Sequence, residues 1–206
     1  MFAYCGNNPV MRIDPTGTCF KILGIVLIDC EQSTCPDSRY YNAKRIAVIY
    51  DSRQSGILRG WFFDKGFKHQ GEELVKRLEK NNYVESHPIK NATEFVDAWN
   101  SLSGEYDKIY IICHAEYGNL YFRHGAVSVA GKKYQYSDLN VVDVKEMFLY
   151  CCNGATISET GGSVAISFHE ITGARIYAIQ DGKIGFTWAE CYPYATEDGV
   201  WVTYPD

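Results

Sequence analysis

From Lys44 onward, short apolar runs alternate with amphipathic segments of helical period, and that alternation confines the chain to few folds. Residues 45–50 are apolar at nearly every position, as in a strand buried on both faces. Residues 67–81 set Leu74, Val75 and Leu78 at helical spacing against Glu72, Glu73, Lys76, Arg77, Glu79 and Lys80, a solvated face. A strand over 83–88 leads to Asn91, a good N-cap for a helix carrying Phe95, Val96 and Trp99. A strand over 108–113 is ended by His114. Residues 119–122 and 126–129 read as a short hairpin, and 134–139 as a loop or strand edge. A core strand over 145–151 runs into Cys152, Asn153 and Gly154; a helix over 163–172 stops at Gly173 before a strand over 174–179. Residues 201–205 suit an edge strand. Strands separated by helices run parallel, so the expected class is α/β, a mainly parallel sheet with helices on both faces.

With 206 residues the chain is long enough for one domain with a sizeable core. Residues 1 to about 40 differ in texture, being rich in turn signals and polar residues, and read as a leader or linker before a domain over 41–206. The net charge of -5 comes without any run of Lys or Arg, so nucleic acid is not an expected partner. The longest apolar stretch, 20–28, is interrupted by Lys21 and Gly24 and closed by Asp29, too short for a membrane span. The N-terminal stretch lacks the basic segment of a secretory signal. Cys113, Cys151 and Cys152 lie in strand-like runs suited to free thiols, whereas Cys5, Cys19, Cys30 and Cys35 have loop-like surroundings. Cys30 and Cys35 suit a small disulfide loop or a metal site, yet no CxxC pair and no His at ligand spacing accompanies them. No metal and no organic cofactor is expected.

In open parallel sheets, reactive groups collect beyond the carboxyl ends of strands, where loops form a crevice on a rigid base. His114 and Cys152 both occupy such positions. A thiol becomes a nucleophile as thiolate, and an imidazole beside it supplies the base. The small neighbours Ala115 and Gly154 let a substrate carbonyl approach main-chain N–H donors. Taken alone, a histidine on an apolar strand is more often structural and a buried cysteine more often inert. Two strand ends carrying the two complementary groups, each beside a small residue, favour a joint catalytic role. His69, His87, His124 and His169 read as structural or solvated.

Two resemblances extend this reading. The segment Tyr4-Cys5-Gly6-Asn7-Asn8-Pro9-Val10, then Asp14-Pro15-Thr16-Gly17, resembles the end of the Rhs repeat-associated core of polymorphic toxins. That resemblance implies an effector exported as part of a larger Rhs-type protein and acting outside the producer or in a recipient cell, with an immunity protein as a possible partner. The runs Cys113-His114-Ala115, residues 149–155, residues 163–168 and residues 173–178 resemble a CHAT or caspase-like cysteine peptidase across roughly residues 44–186. This implies a three-layer caspase-like fold, a protein or peptide substrate, His114 as general base and Cys152 as nucleophile. Alanine stands at 115 where the family usually has glycine, and Cys151 precedes Cys152, leaving two thiols in contention. Asp51 and Asp181, at strand-end loops that help build the specificity pocket in that family, favour a basic side chain, while Arg53 favours an acidic one. The same dyad also serves other acyl chemistry, as in a deamidase or acyltransferase, and a catalytically inactive binding module is a further alternative.

Overall fold

The computed structural model describes residues 21–22, 25–26, 43–53, 66–122, 124–129, 133–159, 161–187, 192–196 and 198–205. Residues 1–20, with the Rhs-like segment, and Cys5, Cys19, Cys30 and Cys35 lie outside them. The chain divides into two compact units, Met1–Lys44 and Arg45–Asp206. In the first, β1 (Lys21–Ile22) pairs antiparallel with β2 (Ile25–Val26).

The second unit is mixed α/β, built on a mostly parallel six-stranded sheet. In chain order it comprises β3 (Arg45–Asp51), α1 (Gly66–Leu78), β4 (Tyr83–Ile89), α2 (Ala92–Ser101), β5 (Glu105–Ile112), β6 (His114–Glu116), β7 (Asn119–Phe122), β8 (Gly125–Ser128), β9 (Tyr134–Gln135), a 3-10 turn (Tyr136–Asp138), β10 (Asp143–Tyr150), α3 (Val164–Thr172), β11 (Arg175–Gln180), β12 (Lys183–Phe186), β13 (Pro193–Thr196) and β14 (Val200–Tyr204). The main sheet runs β14-β11-β10-β5-β3-β4; its neighbours are parallel except β14, which lies antiparallel on β11 as the expected edge strand. A four-stranded sheet β6-β7-β8-β9 and the pair β12-β13 extend from it.

Strand period decides which side chains meet which helix. Ala47, Ile49, Ile109, Ile111, Met147 and Leu149 bury one face against Phe95 and Trp99 of α2 and Phe168 of α3. Ile46, Val48, Tyr50, Tyr110 and Ile112 turn the other way, toward Leu74 and Val75 of α1. The Asn91 side chain accepts from the Glu94 N–H at 2.9 Å and starts α2 as expected; Ser163 caps α3 in the same manner at 3.1 Å. Among the described residues, no helix is long and apolar enough to cross a membrane.

One contact fixes the height of α1 above the sheet. Gly71 lies against the Tyr50 ring so closely that a Cβ there would overlap ring carbons. Gly71→Ala should therefore push α1 outward and cost about 1–3 kcal/mol. Urea unfolding followed by circular dichroism would measure this; an unchanged midpoint would contradict the close packing.

Candidate active site

The parallel pairing of β5 with β3 and β10 sets the site's geometry. Register places Tyr50 and Tyr150 on either side of Ile112. Cys113 and Cys151 come next, and His114 and Cys152 each lie two residues beyond this last pairing of Ile112 with Tyr150.

Alternation separates the three described thiols by role. Cys113 and Cys151 continue the series of Ile111 and Leu149 into the α2–α3 core, where they are 1% and 0% exposed. Burial is the leading cause that pushes both thiols well above the ordinary cysteine range, which keeps them protonated and unreactive at neutral pH. Cys152 is only partly buried, so it is the thiol in this group that solvent can reach. Cys152 stands in the turn after β10, and His114 lies against α1. The imidazole is exposed and meets the Phe67 ring of α1 edge-on, with centroids 4.6 Å apart at 82°.

His114 does not close the central strand as the sequence suggested. The chain bends at Cys113, and His114 opens β6, where it stands opposite Tyr121 of β7. The alternation of apolar residues continues through this point, so sequence gave no sign of the bend. Ala115 is buried opposite Leu120.

The turn after β10 is held by hydrogen bonds to β11 and α3. The Asn153 N–H donates to the Gly182 carbonyl and the Ala155 N–H to the Ile179 carbonyl, each at 2.9 Å. The Ala165 N–H of α3 donates to the Gly154 carbonyl at 2.9 Å, and the Asp181 N–H donates to Thr156 Oγ1 at 2.7 Å. Gly154 is buried, and a Cβ there would stand 3.0 Å from Cys151 Sγ, so glycine lets the turn sit directly on the buried thiol. Such anchoring holds Cys152 in place without spending its side chain.

Asp51 and Arg53, which pull specificity in opposite directions when read separately, bind each other. The Arg53 guanidinium forks onto the Asp51 carboxylate, with Nε contacts of 2.8 and 2.7 Å and a further contact from Nη2 to Oδ2, and the Arg53 N–H adds a bond at 3.0 Å. Asp51 is 2% exposed, so the pair stabilises a buried carboxylate; hydrogen bonding to it raises the Arg53 pKa. Asp181 is exposed, adopts φ 54° and serves the turn through its N–H. Phe67 and Thr156 were not singled out from sequence, because only folding brings them to these strand ends. Among the described residues, no group of three or more His, Cys, Asp and Glu side chains is arranged to hold a metal ion.

Neither a protein-family model nor a curated protein matches the chain. The site's chemistry accordingly rests on its own geometry. At neutral pH iodoacetamide should modify Cys152 in the folded protein, while Cys113 and Cys151 should react only after denaturation. Peptide mass mapping reads this directly, and equal labelling of Cys151 would contradict the assignment.

Proposed function

We propose that the second unit is a caspase-like cysteine endopeptidase, with helix layers on both faces of its parallel sheet and His114 and Cys152 as the dyad. The observation that supports this reading is the sheet order: β5 and β10 are parallel neighbours paired up to Ile112 and Tyr150, and the exposed His114 and the partly buried Cys152 each follow two residues beyond that edge. His114 takes the Cys152 proton, and Sγ bonds to the carbonyl carbon of the scissile peptide. The tetrahedral intermediate then loses the amine, to which His114 returns the proton, leaving a thioester on Cys152. Water, deprotonated by His114, attacks the thioester carbon; the C–S bond breaks and a carboxylate product and the thiol are restored. The Ala115 and Gly154 N–H groups are the proposed donors to the developing oxyanion.

In this reading Asp51 and Arg53 form a neutral wall of the specificity pocket, with Asp181 at its rim. The mechanism asks for no metal and no organic cofactor. The Rhs-like segment makes the domain the effector end of a larger exported toxin that acts on a protein in a recipient cell, and an immunity protein is the expected inhibitor. Cys152→Ala and His114→Ala should each lower kcat/KM on a cleaved peptide by about a thousandfold or more. Cys151→Ala should keep most activity. A peptide-library digest, with circular dichroism to verify folding, tests all three; retained cleavage in either dyad variant would remove this mechanism.

A further inference from the structure

The segments that leave the two strand ends meet again beyond the site. A Cβ built on Gly118, in the turn between β6 and β7, would stand 3.3 Å from the Gly162 carbonyl oxygen and 3.6 Å from Ser158 Cβ. The turn after His114 thus lies against the loop after Cys152. Immediately before Gly118 and before Ser158 is a large apolar side chain turned to solvent, Tyr117 at 53% and Ile157 at 62% exposed. Beside them stand Glu116 and Glu159, also exposed.

Tyr117 holds φ 43°, the left-handed region, where a bulky residue is disfavoured and Asn or Gly fits without cost. Its backbone position gives no reason for tyrosine, so the ring is the reason. Solvent-exposed apolar groups beside a reactive site mark a contact surface, and flanking carboxylates give that surface a sign.

We propose that Tyr117 and Ile157 form a docking rim for a polypeptide carrying a large apolar side chain next to a lysine or arginine, the cation meeting Glu116 and Glu159. This names the substrate class of the dyad and rests on the peptidase reading, but the rim can be tested without turnover. The probe is an array of nonapeptides with Phe, Leu or Ser at the centre, flanked by Lys or by Glu. Binding is measured with the full chain bearing Cys152→Ala, alone and combined with Tyr117→Asn, Ile157→Ser or the pair Glu116→Gln and Glu159→Gln.

The Cys152→Ala chain should bind Phe and Leu peptides with Lys flanks most tightly. Tyr117→Asn and Ile157→Ser should each weaken that binding about tenfold, and the glutamine pair should erase the preference for Lys over Glu. Tyr117→Asn should also raise thermal stability or leave it unchanged, which separates lost contact from lost fold. Uniform binding across the array, preference for Glu flanks, or indifference to the rim substitutions would overturn the proposal. Wild-type cleavage of the same peptides provides the independent arm. Selective binding without cleavage would sink the peptidase reading and leave the rim standing; cleavage without selectivity would do the reverse.

Discussion

Every feature of the site depends on the parallel pairing of β5 with β10. Side chains along a strand alternate with a period of two, so a slip of one residue would exchange buried and accessible thiols and turn the imidazole's side of the pair away. The register is secured by what it buries. Ile109, Ile111, Met147 and Leu149 fill the α2–α3 side, while Tyr110 and Phe148 stack on the other with centroids 4.8 Å apart. Charged residues toward the start of the paired run meet one another, Lys108 with Glu146 at 3.0 Å and Lys145 with Glu105 and Asp107 at 2.9 Å each. Core packing, rather than any attraction between His114 and Cys152, therefore sets the β5–β10 edge that both residues follow.

A second constraint holds the reactive end once the strands are aligned. Cys113 and Cys151 form an inert floor, and Gly154 allows the turn to rest on Cys151 Sγ. Bonds from Asn153 to Gly182, from Ala155 to Ile179 of β11, and from Ala165 of α3 to Gly154 tie that turn to the segments on its two sides. From the opposite flank, α1 supplies Phe67 to the imidazole, and the close seat of Gly71 on Tyr50 sets how near it comes. Regular elements therefore flank both residues of the proposed dyad.

Much of the fold was legible because strand and helix periods persist over long segments. The strand–helix order, the Asn91 cap, the hairpin over β7 and β8 and the β14 edge strand follow from local rules that packing here reinforces. The bend at Cys113 did not show, since Ala115 continues an apolar alternation that suits either one strand or two. The Asp51–Arg53 pair was likewise invisible as a pair: period two sets such residues on one side, but whether their charged ends meet depends on how the chain leaves β3 after Asp51, which period leaves open. Of the two residues of the proposed dyad, Cys152 follows the end of β10 as expected, whereas His114 opens β6. Their neighbourhood was not legible, because adjacency of β5 and β10 is a matter of sheet order that period alone leaves open.

The central claim is that the imidazole of His114 acts on the thiol of Cys152. The direct measurement is the rate of Cys152 alkylation at neutral pH, followed by peptide mapping in the native protein and in folded His114→Ala. A drop of about tenfold or more in the variant, with Cys113 and Cys151 unlabelled in both, is the predicted result. An unchanged rate at Cys152 would show that the two groups do not communicate and would contradict the account.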